Sequence, residues 1–373
     1  MFMVILMGYK VASFFAGVGG IDLGFERAGF ETVYANEIDR YVADTFEMNF
    51  DLKVDCRDIH DVKPDEIPDF DILIGGFPCQ AFSIAGYQQG FKDDQGRGDL
   101  FFELIRIMKA RRPRVALFEN VKNLVGHDKG KTFRVICEQL NLLGYQCDYR
   151  VLNACEYGNV PQNRERIYIV AFRDEKDKEH FSMPMPIELT NSIRNVIDFS
   201  EKVDEKYYYS ADKCKFYDIL ERDITNHNSI YQWRRKYVRE NKSNVVPTLT
   251  ANMGTGGHNV PLILTDDNRI RKLTPLECFR VQGFPKNFHL PDQSNARLYK
   301  QAGNSVVVPV IERIAINIFD SLSLNDKLVN SKLDDSKFIE LVRVLIKDGA
   351  TISDIDLIVN NEELRKQKYI ELL

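Results

Sequence analysis

A cysteine stands shortly after a glycine pair that closes an apolar run. The run covers residues 70–74 and predicts a buried strand of a parallel sheet, and Cys79 follows Gly75-Gly76-Phe77-Pro78. Ligands of open α/β sheets bind outside the carboxyl ends of the strands, so a thiol placed there is available as a nucleophile. The alternative is a small buried core cysteine, the commoner role of a single free Cys.

A carboxylate and two arginines are candidates for the same site. Glu119 follows the apolar run 115–118, which predicts another strand ending at the same sheet edge. A carboxyl group beside a nucleophile in a cleft can have a raised pKa and donate a proton at neutral pH. Arg164 and Arg166 lead into a predicted strand, where alternate residues face one way, so they are predicted to clamp a phosphate or a base carbonyl together. Surface charge is the alternative for this pair.

The glycine turn at residues 16–20 follows a predicted strand and opens a helix, which suits close approach of the backbone to a nucleotide-like ligand. Glu37 lies about 20 residues further on, where a carboxylate can hold ribose hydroxyls. Asp58, at the predicted end of the third strand, can accept a hydrogen bond from an adenine amino group, or be a solvated turn residue. The turn lacks the third glycine of a pyrophosphate-binding fingerprint, which favours a nucleoside cofactor without phosphates over NAD.

These residues require a scaffold of alternating strands and helices. Strands are predicted at 10–15, 31–36, up to 58, 70–75, 115–118, 145–153 and 167–172, and helices at 21–28, 100–109 and 132–143. The alternation predicts an α/β fold with a doubly wound, mostly parallel, Rossmann-like sheet.

After residue 186 the chain becomes more polar and its hydrophobic pattern becomes irregular. Residues 1–186 are predicted to form the catalytic and cofactor-binding domain, and 187–270 a smaller, loop-rich second domain. Regular patterns return in 271–322, where Thr274 is predicted to cap a helix with Glu277 at its third position and where a last helix covers 306–322. Residues 323–373 read as a helical appendage without an assigned role.

Composition is that of an ordinary globular protein of two-domain size. The chain has 373 residues, 44% hydrophobic and 28% charged, and a formal net charge of −5, so attraction to nucleic acid requires a local patch. Seven scattered cysteines without a Cys-x-x-Cys pair argue against a disulfide framework and a zinc site, and for a reducing cytoplasm. The apolar start, residues 1–7, is too short for a signal peptide or a membrane span. We expect a cytoplasmic monomer without a bound metal.

The motifs together resemble the C5-cytosine-specific DNA methyltransferase family of bacterial restriction-modification systems. The resembling motifs, in family order, are Phe15-Ala16-Gly17-Val18-Gly19-Gly20, Gly76-Phe77-Pro78-Cys79-Gln80, Glu119-Asn120-Val121, Gln162-Asn163-Arg164-Glu165-Arg166, residues 271–285 and Gln301-Ala302-Gly303-Asn304-Ser305-Val306. The resemblance runs from about residue 10 to 320, interrupted by the segment in which the family keeps its target-recognition domain. Ser13 departs from it, since many members carry an aspartate there, and we expect little consequence.

The resemblance implies S-adenosyl-L-methionine as cofactor and double-stranded DNA as substrate. The cofactor residues it implies are Phe15, Ala16, Gly17, Gly19, Gly20, Glu37, Asp58, Ile59, Pro78, Leu100, Asn304 and Ser305. The catalytic residues are Cys79, Glu119, Arg164 and Arg166. Cys79 would add to C6 of cytosine, Glu119 would hydrogen-bond N3 and the amino group, and Arg166 would fix the base with help from Arg164. The base must flip out of the duplex, and the glycine-rich segment 84–98 suits a lid over it.

Target recognition is expected in 187–270. Residues 222–242 carry six basic and two acidic side chains, a net +4, and the alternative for them is a solvated basic helix. The predicted DNA-binding residues are Gln80, Ser83, Arg97, Gln232, Arg234, Arg235, Thr248, Thr250, Gly256 and Gly257. The block resembles those that read short GC-rich sites, with GCNGC as the specific expectation. A partner restriction endonuclease would act separately on the same site.

The sequence alone leaves three alternative functions to consider. A transfer-RNA cytosine methyltransferase shares the scaffold but typically has a shorter recognition segment than the 187–270 found here. A catalytically inactive DNA-binding regulator would not need Cys79, Glu119 and Arg166. A nicotinamide dehydrogenase is disfavoured by the glycine spacing.

Overall fold

The computed structural model describes residues 8–77, 100–241, 243–254, 260–330, 336–347, 349–351, 353–355 and 357. Several residues singled out above lie outside these ranges. They are Pro78, Cys79, Gln80, Ser83, Arg97, Gly256 and Gly257, together with the glycine-rich segment 84–98.

A sheet of seven strands forms the centre of the molecule. Its strands are β1 Lys10–Phe14, β2 Glu31–Asn36, β3 Val54–Asp55, β4 Ile72–Gly75, β5 Val115–Val121, β6 Gln146–Asn153 and β8 Glu165–Phe172, in the spatial order β3-β2-β1-β4-β5-β8-β6. All neighbouring pairs from β3 to β5 are parallel, whereas β8 runs antiparallel to both β5 and β6. The predicted doubly wound, mostly parallel α/β fold is confirmed.

Helices cover both faces of this sheet, and further helices lie in the second half of the chain. The helices of the described ranges are α1 Gly20–Arg27, α2 Arg40–Glu47, α3 Leu100–Arg111, α4 Lys131–Leu142, α5 Ala154–Tyr157, α6 Glu175–Glu179, α7 Ile193–Val196, α8 Tyr217–Asp223, α9 Pro275–Arg280, α10 Asn295–Asn304, α11 Val308–Asn330 and α12 Ser336–Lys347. Successive residues of the strands point to opposite faces, so Ile74 packs with α1 and α11 while Leu73 packs with α3 and α4. The two apolar cores therefore lie on either side of the sheet.

Two strand ends differ from the prediction by three residues each. β5 was expected to stop at Phe118, but Glu119, Asn120 and Val121 continue it, because the antiparallel β8 supplies backbone partners where parallel β4 has already ended at Gly75. β3 ends at Asp55, three residues early, since the chain then turns into a short 3-10 helix. Glu119 thus lies within a strand rather than after one.

The predicted helix cap at Thr274 is confirmed in detail. The Glu277 backbone N–H donates to the Thr274 hydroxyl at 3.2 Å, and the Thr274 backbone N–H donates to Glu277 Oε2 at 2.7 Å. Arg271 adds two bonds of 2.8 Å to the same buried carboxylate.

A smaller sheet occupies the second half of the chain. Its strands are β9 Ile230–Trp233, β10 Val238–Asn241, β12 Leu262–Leu264 and β13 Ile270–Lys272, in the order β10-β9-β12-β13, and a two-stranded pair joins β11 Val246–Pro247 to β7 Gln162–Asn163. The basic segment 222–242 forms the end of α8 and the β9–β10 hairpin, so the alternative of a solvated basic helix is wrong for most of it.

The last long helix does not stop at residue 322. α11 runs to Asn330, because Ser321 and Asn325 on its inner face bond the buried Asp177, which also pairs with Arg114 at 2.6 Å. None of the helices in the described ranges is long and apolar enough to cross a membrane.

Candidate functional site

The glycine turn after β1 is held open by backbone geometry. Phe15, Gly17 and Gly19 all have positive φ, at 52°, 58° and 84°. The Gly17 N–H donates to Glu37 Oε2 at 3.1 Å, and the Asp39 N–H donates to Glu37 Oε1 at 2.9 Å. Burial raises the pKa of Glu37 and these two backbone bonds oppose the rise. The turn is therefore fixed to the end of β2 by one carboxylate.

A cleft of about 820 Å³ opens at the carboxyl ends of β1, β2, β4 and β5. Ten of the twelve predicted cofactor residues line it, namely Phe15, Ala16, Gly17, Gly20, Glu37, Asp58, Ile59, Leu100, Asn304 and Ser305. Pro78 lies outside the described residues. Gly19 is not among the lining residues, because it packs against the Phe50 ring, which a Cβ at this position would meet at 2.2 Å.

Asp58 has two uses at the rim of the cleft. Its Oδ1 accepts the His60 N–H at 3.0 Å and lies 2.6 Å from His60 Nδ1, so it caps the 3-10 helix Ile59–Asp61. The hydrogen bond from the His60 backbone is the main reason why the pKa of Asp58 is lowered. Asp58 therefore both caps the 3-10 helix and lines the cleft.

Sequence reasoning missed two apolar side chains of the cleft. Ile38 is 61% exposed and Tyr41 47% exposed, and both line the cavity beside Glu37. Large exposed apolar groups in a concave site are typical of a surface on which a planar ligand packs. The available signal was an isoleucine directly after the strand-end carboxylate Glu37, where the chain leaves the core.

The other end of the cleft holds a buried ion pair. Arg166 Nε lies 3.0 Å from Glu119 Oε1, and the two side chains are 14% and 11% exposed. The antiparallel register of β5 and β8 brings them together from strands that run in opposite directions. Burial raises the pKa of Glu119, while the charges of Arg166 and Arg164 lower it. A carboxyl group with a raised pKa beside a fixed cation can bind an amide-like ring edge and hold a proton there.

Asn120 joins this pair to the segment that carries Cys79. Its Nδ2 donates to the carbonyl of Phe77 at 2.8 Å, and its Oδ1 accepts the Val121 N–H at 2.8 Å. Gly76 lies close as well, since a Cβ there would be 3.6 Å from Glu119 Oε2. The chain therefore enters Pro78 and Cys79, which lie outside the described residues, from a point fixed beside Glu119.

Arg164 bonds backbone carbonyls, whereas Arg166 pairs with Glu119. It is 2% exposed, and its guanidinium donates to the carbonyls of Leu249 at 2.7 Å, Gly303 at 3.1 Å and Ser305. Burial lowers its pKa to about 9, with Arg166 adding to the effect. Arg164 and Arg166 both border the cleft as predicted, but the terminal nitrogens of Arg164 are engaged by protein carbonyls.

The departure at Ser13 has a structural counterpart in Asp22. The Ser13 hydroxyl donates to Asp22 Oδ2 at 3.1 Å, and Asp22 is fully buried in the first turn of α1, directly behind the glycine turn. Burial raises the pKa of Asp22 to about 7. A carboxylate thus faces the strand position at which many resembling sequences carry one.

The predicted DNA-binding residues that the structure describes all lie in the second half of the chain. Gln232 is 6% exposed within β9, whereas Arg234 and Arg235 are exposed in the turn of the β9–β10 hairpin, with Arg235 at φ 64°. Thr248 and Thr250 are exposed beside the cleft, and the Thr248 hydroxyl donates to the carbonyl of Asn163 at 2.7 Å. Gln80, Ser83, Arg97, Gly256 and Gly257 lie outside the described residues.

No group of three or more His, Cys, Asp or Glu residues within the described ranges is arranged to hold a metal ion.

The chain is similar to known proteins in sequence and in fold. Residues 9–320 match the sequence model of a family described as C-5 cytosine-specific DNA methylase. The type II methyltransferase M.Bsp6I of Bacillus sp. (strain RFL6) is 59% identical over 314 residues, which cover 84% of this chain and 99% of that protein. The type II methyltransferase M.HhaI of Haemophilus parahaemolyticus is 39% identical over 329 residues, covering 85% and 96%.

A solved structure shares the fold. A DNMT2 mutant from Spodoptera frugiperda superposes with a TM-score of 0.65 at 20% identity, and the match covers 84% of this chain and 100% of that one.

Proposed function

The chain belongs to the C-5 cytosine-specific DNA methylase family, and on this premise we propose that it transfers a methyl group from S-adenosylmethionine to C5 of cytosine in a short duplex sequence. The observation that carries the proposal is the Glu119–Arg166 pair, 3.0 Å apart, at one end of a cleft whose other end is built around Glu37 and the glycine turn. A ring-binding pair and a nucleoside-sized space thus share one cavity.

The cleft residues fit this cofactor. Gly17, at φ 58°, has no side chain to fill the space beside the turn, and Glu37 is placed to accept from ribose hydroxyls. Asp58 would accept from the adenine amino group, and the exposed Ile38 would pack on the adenine face. When bound, S-adenosylmethionine supplies an electrophilic methyl group.

The protein must make C5 of the target base nucleophilic. We assign Cys79 as the thiolate that adds to C6, which forms a C6–S bond and leaves an enamine with electron density at C5. Glu119 would hydrogen-bond N3 and the exocyclic amine, and Arg166 would hold both the base and the Glu119 carboxyl group in place. After C5 gains the methyl group, its proton passes to a solvent base, the electron pair of the C5–H bond restores the C5=C6 double bond, and the C6–S bond breaks to release Cys79 as a thiolate.

Attack at C6 comes perpendicular to the ring, from a face that is stacked in a duplex, so the base must be flipped out. We propose that the segment 84–98, which lies outside the described residues, closes over the flipped base.

Target recognition is proposed for the second half of the chain. Arg234 and Arg235 at the hairpin turn, with Thr248 and Thr250 beside the cleft, are exposed and available to a duplex. We propose GCNGC as the site to test and protection against a partner endonuclease as the biological role.

Bisulfite sequencing of plasmid DNA from cells that express the protein tests this function. We expect cytosine protection at one short recurrent sequence, and none with Cys79→Ser. Labelled methyl transfer to transfer RNA but not to duplex DNA would instead support the transfer-RNA enzyme. Failure to trap a covalent complex on 5-fluorocytosine DNA, together with binding of that DNA, would support an inactive regulator.

A further inference from the structure

We infer that Arg164 is a positioning residue that couples duplex binding at Thr248 and Thr250 to cofactor binding at Asn304. The inference rests on the proposed function for the identity of the two ligands. It goes beyond that function because it assigns Arg164 to communication between the two sites instead of to the base.

The three carbonyls that Arg164 holds come from two distant parts of the chain. Leu249 follows β11 in the second half of the molecule, and its carbonyl accepts from Arg164 Nη1 at 2.7 Å. Gly303 and Ser305 lie at the end of α10, and their carbonyls accept from Arg164 Nη2. A planar guanidinium has a fixed fork, so a shift of one carbonyl changes the geometry available to the others.

Each held segment presents a ligand residue. Leu249 is 1% exposed, but its neighbours Thr248 and Thr250 are exposed. Asn304 lies between the two held carbonyls of Gly303 and Ser305, and its side chain faces the cleft. One guanidinium therefore fixes the backbone on either side of Asn304 and between the two threonines.

A second contact links the same segments without Arg164. Gly303 packs directly on the backbone of residue 250, where a Cβ would come within 2.2 Å of the Thr250 carbonyl carbon and oxygen. Gly254, at φ 76°, packs on Tyr299 of α10 in the same way, since a Cβ there would come within 2.7 Å of the Tyr299 ring. Residues 249–254 and α10 are thus in close backbone contact, and displacement of one requires displacement of the other.

The coupling is expected to be positive. A duplex that contacts Thr248 and Thr250 holds the Leu249 carbonyl in place, which keeps the Arg164 fork aligned on Gly303 and Ser305 and so prepares Asn304 for the cofactor. By linkage, the cofactor strengthens duplex binding by the same factor.

The test is calorimetric titration of S-adenosylhomocysteine, with and without a duplex fragment of the plasmid used for bisulfite sequencing. We expect the duplex to tighten binding by about 5-fold or more in the natural protein. Arg164→Lys keeps the charge but loses the fork, and should reduce this ratio of the two affinities to below about 2-fold. Gly303→Ala should lower the ratio too, because the added methyl group separates residues 250 and 303.

Arg313→Lys is the matched control. Arg313 also donates to two backbone carbonyls, those of Tyr157 and Met185 at 2.8 and 2.9 Å, and neither belongs to residues 246–254 or to the end of α10. Its variant should keep the natural ratio. A natural ratio near 1, or a natural ratio retained in Arg164→Lys, would overturn the inference.

A measurement on the unmodified protein covers the case in which the variants do not fold. Addition of S-adenosylhomocysteine without DNA should slow amide hydrogen exchange in residues 249–251, and unchanged exchange there would also overturn the inference. Methyl transfer to the same fragment is assayed in parallel and tests the proposed function separately. Absence of methyl transfer refutes the proposed function, whereas the ratio of the two S-adenosylhomocysteine affinities tests only the coupling through Arg164.

Discussion

Asn120 holds the carbonyl of Phe77 at 2.8 Å, and Phe77 is the second residue before Cys79 in the chain. The same Asn120 follows Glu119, which pairs with Arg166. The backbone that leads to the proposed nucleophile is thus attached to the strand that carries the proposed base-binding carboxylate. The distance between Phe77 and β5 is therefore fixed by the buried side-chain amide of Asn120.

Asn120→Ala should reduce kcat more than cofactor affinity. Removal of the amide eliminates its hydrogen bond to the Phe77 carbonyl, and a misplacement of about 1 Å at a reacting group costs roughly 100-fold in rate. We expect kcat for methyl transfer to fall by about 10- to 100-fold while the Kd for S-adenosylhomocysteine stays within about 2-fold. Asn123→Ala, at an exposed position in the following turn, is the control and should leave both values unchanged. Equal losses in the two variants would refute the positioning role of Asn120.

Arg166→Gln should destabilise the protein because it leaves the Glu119 carboxylate buried without its cation. Breaking a buried pair by removing one partner costs roughly 3 kcal/mol. In the double variant Arg166→Gln with Glu119→Gln, neither member of the pair carries a charge, and we expect about half of the lost free energy of unfolding to return. Urea denaturation measures both. Lys206→Gln, which breaks an exposed pair with Asp204, should change stability by less than about 1 kcal/mol.

Gly19→Ala should act on stability, since Gly19 packs against the core instead of lining the cleft. The added Cβ meets the Phe50 ring at 2.2 Å, and φ 84° is unfavourable for any L side chain. We expect a loss of about 2–4 kcal/mol in the free energy of unfolding. Gly17→Ala, whose Cβ would find its nearest neighbour at 3.9 Å, should lose only about 1 kcal/mol from its φ of 58°. Equal losses would mean that the Phe50 contact is unimportant.

Asp22 should make the stability of the protein depend on pH. Its folded pKa of about 7 exceeds its ordinary value of 3.8, so between these pH values the folded state keeps a proton that the unfolded state has released. Stability from this group is therefore complete below pH 3.8 and is lost as the pH rises toward 7, by about 1.4 kcal/mol per pH unit. Asp22→Asn lacks this dependence. In urea denaturation, the free energy of unfolding of the variant should therefore rise relative to that of the natural protein from pH 5 to pH 7. A constant difference across that range would contradict the prediction.

Local signals in the sequence were sufficient for much of the scaffold. β2 has the predicted bounds, and α9 has the predicted cap, because both depend on residues a few positions apart. α2 was missed although Asp39 caps it, with its carboxylate accepting from the Tyr41 N–H at 3.0 Å. That helix is short, and its apolar residues are too few to give a clear period.

Long-range pairing explains what the sequence did not predict. The extension of β5 through Glu119 depends on β8, which lies more than 40 residues away in the chain and runs in the other direction. The sequence predicts a ligand-binding role for Arg164, because its carbonyl partners are 85, 139 and 141 residues away in the chain and cannot be identified from its neighbours. Gln232 reads as exposed among charged neighbours, but it lies on a strand that is buried on both faces.

The antiparallel direction of β8 has a consequence for exchanging recognition modules between relatives. The chain leaves β8 at Phe172, at the sheet edge opposite the cleft, and returns to the cleft edge where β11 pairs with β7. A graft therefore has one junction far from the chemistry and one that touches it. If the second junction lies before Val246, the host keeps its own Leu249 and Thr250 against Arg164 and Gly303, and the transplanted part carries only the outer surface.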